Sequence, residues 1–367
     1  MVACLLIGSA VATPITYEEV TVGNPGNAND TGGTFNGAVN YAYQIGKYDV
    51  TIGQYAAFLN AADPNGTNPN GIYNSSMETD LTIAGISYTS GASAGSKYSV
   101  IGPSGTAYGQ TGANRPITYV SWFDAARFAN WMTNGQGAGS TETGAYTLGD
   151  ATSGNAVAAN PGAAFYIPTE NQWYKAAYYD PTLNSGAGGY YAYATQSDTA
   201  PGNLIGSTAN QANYAAGQLF SVSQSGTYDA NQNYLTDVGA FSGSGSFYGT
   251  FDQSGNVYQW NDLDGTPGSS RGLEPFAALV ISRWAGHRKV LCPVVFLGNR
   301  GRERLLPRSR YTLSSPVPVN RSRHRDERRS VAGGHPASTP RGLRQQPHTG
   351  DEHRSVRCRR REGAARQ

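Results

Sequence analysis

The chain changes character near Arg271, and that break limits what it can fold into more than any motif does. Residues 1–270 carry five basic side chains (Lys47, Lys97, Arg115, Arg127 and Lys175) against 18 acidic ones, a net charge of −13. Residues 271–367 carry 22 basic and seven acidic residues, a net of +15. The overall charge of +2 hides both values. Tyrosine divides at the same place, since only Tyr311 of the 24 tyrosines follows the break. Two bodies of sequence with different compositions are joined near Arg271, in a chain long enough for one large domain or two small ones.

The first body also lacks most of the side chains that perform chemistry. The histidines (His287, His324, His335, His348, His353) all follow the break, and the cysteines are Cys4, Cys292 and Cys358. Residues 14–270 therefore contain neither type, which excludes a Ser-His-Asp or Cys-His device there. It equally excludes zinc, iron or copper sites built on imidazole or thiolate. Oxygen donors remain, and these suit calcium and hydrogen bonding to polar ligands.

Residues 1–13 form a short apolar run ending in Ala10-Val11-Ala12, which fits the end of a secretory signal. The competing reading is a buried N-terminal strand. Residues 14–40 are poor in apolar groups and read as a linker. Tyr43–Thr51 alternates as a strand would. Thr51 is then placed to cap a helix whose buried face is Ile52, Tyr55, Phe58 and Leu59, ending at the turn Asp63-Pro64-Asn65-Gly66. Short strands are expected at 83–88 and 98–101. Ser121 with Asp124 makes a capping box for a second helix, with Trp122, Ala125, Phe128, Ala129 and Met132 on its core face. A strand at 165–167 should stop at Pro168, and Thr169 should cap a third helix with Trp173, Tyr174, Ala177 and Tyr178 inward. From 180 to 249 the sequence is rich in Gly, Asn, Ser and Tyr without helical period, and reads as loops and short strands.

The stretch Gly249–Trp260 places a carboxylate (Asp252), a glycine (Gly255) and a carboxamide (Asn256) within five residues. Oxygen donors around a glycine turn can wrap a hard cation. The same residues can equally serve as a turn, with Asp and Asn bonding their own backbone.

Four blocks in order resemble the formylglycine-generating enzyme, or sulfatase-modifying factor, family. They are Ile45-Gly-Lys-Tyr-Asp-Val-Thr51 with Tyr55 and Phe58-Leu59-Asn60; Pro116 with Val120-Ser-Trp-Phe-Asp-Ala125 and Trp131; Ile167-Pro-Thr-Glu170 with Trp173 and Ala176-Ala177; and Gly255-Asn256-Val257 with Trp260. They cover residues 41–265, and the domain is drawn at 41–272. The resemblance implies an α+β, C-type-lectin-like fold, rich in loops that calcium braces. It assigns Asp252, the Ser254 carbonyl and Asn256 to one calcium site, and Asn213 and Asp229 to part of another.

The family's oxidases carry a redox cysteine pair after the fourth block, and nothing comparable follows Trp260. Cys292 stands alone and Cys358 lies in an Arg-rich run, so neither a catalytic residue nor a copper site is visible. Residues 273–367 read as a disordered tail, an anion-binding extension, or translation out of frame; the abruptness of the change favours the last. Asn320-Arg-Ser-Arg-His324 can be encoded so that a shifted frame reads Pro-Glu-Pro-Ser, which opens the C-terminal sorting signal of many secreted bacterial proteins with this kind of domain. In that case the fold's closing strands are missing. The expectation is a secreted, non-catalytic domain that binds a protein or glycan, with calcium as a structural ion. The alternative is a formylglycine-generating oxidase whose cysteines are lost in this frame. Nucleic acid is not the expected partner of so acidic a body, and no apolar run is long enough to span a bilayer.

Overall fold

The computed structural model describes residues 14–32, 36–102 and 112–262 and the strand Ala277–Ile281. The expected signal segment, Cys292, Cys358 and nearly all of the tail lie outside the described residues. In chain order the elements are β1 (Glu19–Val22), β2 (Tyr43–Gly46), α1 (Ile52–Ala62), α2 (Ser76–Thr79), β3 (Ile86–Tyr88), β4 (Tyr98–Val100), α3 (Trp122–Thr133), α4 (Glu170–Tyr178), β5 (Tyr179–Asp180), α5 (Leu183–Gly186), β6 (Gly189–Tyr190), β7 (Tyr258–Trp260) and β8 (Ala277–Ile281). The strands pair in twos: β1–β2, β3–β4 and β5–β6 antiparallel, and β7–β8 parallel. The described architecture is thus α+β, with little regular sheet. β1 lies within 14–40, and β8 lies beyond the compositional break.

The three longer helices start where local chemistry says they should. Thr51, Ser121 and Thr169 are extended N-caps, and each closes a reciprocal capping box with the residue three positions on: Gln54, Asp124 and Gln172. Each box satisfies two backbone donors that would otherwise be stranded at a helix start. The anticipated core faces of all three helices are buried. Helix α3 goes further than its pattern implied, because every residue from Trp122 to Met132 is buried. It is the central post of the core. Tyr55 and Phe58 of α1 pack on Phe128, and Phe58 also packs on Trp131, with ring centroids 5.5–6.1 Å apart. Burial of side chains this size contributes about 1.5–3 kcal/mol each.

Full burial of α3 brings polar groups inside, and most of their atoms are paired, Arg127 Nη1 being an exception. Arg127 Nε and Nη2 donate to the two carboxylate oxygens of Glu142 at 2.7 and 3.0 Å, anchoring the loop that follows α3. Asp124, taken inside the capping box, has its carboxyl pushed up to about 6 by burial, an effect offset by hydrogen bonds from Ser121.

Two sequence expectations fail for a definable reason. No strand forms at 165–167. The Phe165 N–H donates to the Thr133 hydroxyl (3.2 Å) and the Ile167 N–H to the Tyr146 phenol (2.8 Å), so side chains take the place of a strand partner. The strand expected over 43–51 stops at Gly46, because the backbone beyond it bonds to other segments: Phe251 N–H to the Lys47 carbonyl, and Ile117 N–H to that of Val50.

The long stretch from 180 to 262 follows the same principle. Buried Asn203 donates to the Leu219 carbonyl (2.7 Å), and Asn233, 1 % exposed, donates to that of Ala84 (2.9 Å). A loop buried without ladder partners would strand its peptide groups; side-chain amides pair with them instead.

Candidate functional site

β7 and the turn before it are held against the core by three tryptophans. Trp122 Nε1 donates to the Asn261 carbonyl (3.1 Å), Trp260 Nε1 to the Val120 carbonyl (2.8 Å), and Trp173 Nε1 to Gln259 Oε1 (2.8 Å). These indoles are core braces, and they fix the position of residues 252–260.

In the turn, Asp252 and Asn256 both take left-handed backbone, with φ of +64° and +67°, a conformation that Asn and Asp tolerate better than other side chains. Between them Gly255 passes the main chain of Asn213 so closely that a Cβ would sit 2.4 Å from the Asn213 carbonyl oxygen. Asn256 N–H donates to that same carbonyl (2.9 Å). The side chains of the two asparagines also meet. Asn256 Oδ1 accepts from Asn213 Nδ2 (2.9 Å) and from Thr236 N–H (3.1 Å), while Asn256 Nδ2 donates to the Thr236 carbonyl (3.1 Å). Asn213 Nδ2 donates in addition to the Tyr234 carbonyl (2.9 Å).

The residues anticipated from sequence are therefore distributed as follows. Asn213 and Asn256, assigned to separate sites, form one amide pair. The Ser254 hydroxyl accepts from Ala194 N–H (2.9 Å). Asp229 is exposed, and its Oδ1 accepts from Asn231 N–H (2.9 Å). Asp252 is partly buried, and its Oδ2 accepts from Gly239 N–H (2.7 Å).

Sequence reading missed the neighbour of Asp252. Asp49, 2 % exposed, lies close enough that the Asp252 charge helps to hold its carboxyl well above the usual range, after burial as the main cause. Asp252 is itself pushed up to about 6 by burial, with the Gly239 hydrogen bond opposing. Asp49 Oδ1 accepts from Gln259 Nε2 (2.7 Å), whereas its Oδ2 is buried with no hydrogen-bond partner. Two carboxyl groups sharing a secluded place, one oxygen unsatisfied, suit either a shared proton or a hard cation. Asp49 stood in the first of the four sequence blocks, and Gln259 in the stretch before Trp260, but nothing local paired them.

The donor set is compatible with calcium, which takes six to eight oxygens including carbonyls and amides. Among the described residues no group of three or more His, Cys, Asp or Glu side chains comes together. Carboxylates alone would thus not complete a shell here, and main-chain or amide oxygens would have to contribute. Among the described residues no helix is long and apolar enough to cross a membrane.

A family model described as the sulfatase-modifying factor enzyme 1-like domain matches residues 20–355. Comparison with curated proteins and with solved structures returns no match. The match takes in β1 from its second residue, all three capped helices, the turn at 252–256 and β8, and it implies the C-type-lectin-like fold for this α+β chain.

Proposed function

This chain belongs to the sulfatase-modifying factor family, and from that premise we propose that it is an exported binding protein without oxidase activity, its loops braced by calcium. One observation carries the non-catalytic part. Within the matched residues 20–355 the sequence has a single cysteine, Cys292. A thiol pair, needed to pass electrons from a substrate cysteine, requires two.

Support for calcium comes from the unsatisfied Asp49 Oδ2 beside Asp252. Asp252 and Asp49 would hold the ion, with the Ser254 carbonyl and the Asn256 amide as further oxygen donors. A bound cation would neutralise the carboxylate pair and fix the turn; no chemical step is assigned to it. Export rests on the apolar run ending in Ala10-Val11-Ala12. The ligand is a protein or glycan met by the loop-rich surface.

The test is direct. The purified full chain is incubated aerobically, with and without copper, with a cysteine-containing sulfatase-type peptide, and aldehyde is sought by mass spectrometry. We expect none; aldehyde formation sinks the reading. The rival oxidase, with its cysteines in another frame, is favoured by the abruptness of the change near Arg271. Sequencing the DNA across codons 255–367 decides it, since a cysteine pair in a shifted frame would restore the enzyme.

A further inference from the structure

Away from the carboxylate pair, the exposed Tyr228 stacks on Tyr234, whose contacts also reach the chain beside the exposed Leu219 and Leu81. Tyr228, Leu219 and Leu81 are 37 %, 40 % and 43 % exposed. The Tyr234 ring lies 6.0 Å from that of Tyr228 at 20°, a stacked pair, and 4.5 Å from that of Phe220, the neighbour of Leu219. Its N–H donates to the carbonyl of Thr82, the neighbour of Leu81 (2.8 Å). Tyr234 thus backs Tyr228, which stays 37 % exposed. The phenol of Tyr234 accepts from Asp229 N–H (2.8 Å), which fixes the loop that carries Tyr228.

The rim of this platform is made of oxygen and amide groups. Asp229 and Asn231 are exposed beside it. Asp80 is near enough for its charge to act on the Tyr228 phenol, and its carboxylate is held by the Tyr119 phenol (2.5 Å) and by the backbone and hydroxyl of Thr82. A phosphate-rich or otherwise anionic partner would meet the carboxylates of Asp80 and Asp229 here. A wholly apolar partner would desolvate those carboxylates for nothing. A sugar ring satisfies both features: its C–H face stacks on an aromatic face, and its hydroxyls donate to carboxylate and amide oxygens.

We propose that the Tyr228 platform, rimmed by Asp229 and Asn231, is a glycan-binding site that works without calcium. It rests on the reading of the chain as a binding protein, and it names the ligand class and the place. Calorimetric titration of the full chain with cellopentaose, chitopentaose and mannopentaose, in a chelator, tests it. At least one of these should bind; Tyr228→Ala should weaken that binding by about tenfold, the scale of one lost aromatic stack with its contact area, and Tyr228→Phe should retain it. Leu204→Ala, at an exposed site outside the cluster, should change nothing, and unchanged melts should confirm that the variants fold.

Equal binding by wild type and Tyr228→Ala would place the glycan elsewhere and overturn the assignment, while leaving a binding function standing. Failure of all three oligosaccharides, with nona-arginine binding lost on Tyr228→Ala, would make this a cation site and overturn the glycan class. Failure of both probes also overturns it. Aldehyde formation in the peptide assay is a separate result, so the two readings fail distinguishably.

Discussion

Asn256 separates the two roles that its sequence context permits, through three substitutions at one position. Its side chain makes three hydrogen bonds, two accepted from Asn213 and Thr236 and one donated to Thr236. At about 1 kcal/mol net for each, Asn256→Ala should lose about 3 kcal/mol. The backbone adds to this, because φ is +67° and an alanine Cβ in the left-handed region costs about 1 kcal/mol more. Asn256→Gly loses the hydrogen bonds without that strain, so it should be about 1 kcal/mol more stable than the alanine variant. Asn256→Asp is the deciding member. It keeps an acceptor for Thr236 and Asn213 but turns a carboxylate oxygen toward the Thr236 carbonyl, where a donor was. In chelator it should cost about 1–3 kcal/mol. With saturating calcium, an ion ligated at this position would recover that loss, because a carboxylate binds calcium at least as well as an amide. A purely structural turn would show the same deficit with and without calcium. The assay is urea unfolding in each buffer, comparing midpoints at unchanged slope. An alanine variant within about 0.5 kcal/mol of wild type would refute the hydrogen-bond reasoning, since that is the range of ordinary surface substitutions.

Other perturbations follow from the same geometry. Gly255→Ala would place its Cβ 2.4 Å from a main-chain oxygen, so the backbone of 213 or 255 must move; a loss of about 1–3 kcal/mol in urea unfolding is expected. The carboxyl of Asp252 is raised to about 6 in the folded chain, so the folded state holds that proton more tightly than the unfolded one. Its stabilising effect is therefore complete below about pH 4 and lost as pH rises through about 6, a change on the order of 2 kcal/mol after allowance for partial exposure. In chelator, Asp252→Asn should flatten that part of the stability–pH curve; an unaltered curve would show that another group titrates. Glu142→Ala would leave the wholly buried Arg127 guanidinium without its carboxylate, and a loss of about 3–5 kcal/mol is expected by the same denaturation.

What could be read from the sequence was the chemistry that acts over three or four residues. Thr51, Ser121 and Thr169 announce helix starts because a cap and its partner lie within one turn, and the apolar spacing after each gives the buried face. The turn at 252–256 was legible for the same reason, and its two meanings remained open because both use the same local oxygens. Asp49 and Asp252 could not be paired that way. They are brought together by bonds between distant segments, from the Phe251 N–H to the Lys47 carbonyl and from Gln259 to Asp49. The missing strand at 165–167 shows the opposite error: its residues have the right apolar content, but the Thr133 hydroxyl and the Tyr146 phenol, which no periodicity reveals, satisfy its peptide groups.

These observations bear on how a domain with so little sheet resists unfolding. A strand ladder shares its hydrogen bonds among many residues, and losing one side chain leaves the ladder intact. Here single amides such as Asn203, Asn213, Asn233 and Asn256 each hold a specific carbonyl of a distant segment. Removing one strands a peptide group and releases a loop at once. The cost of error is therefore concentrated in Asn, Asp, Ser and Thr positions that look, in the sequence, like solvent-exposed loop. It follows that a loop residue here is not a free site for variation unless, like Tyr228 or Leu204, its side chain stays exposed.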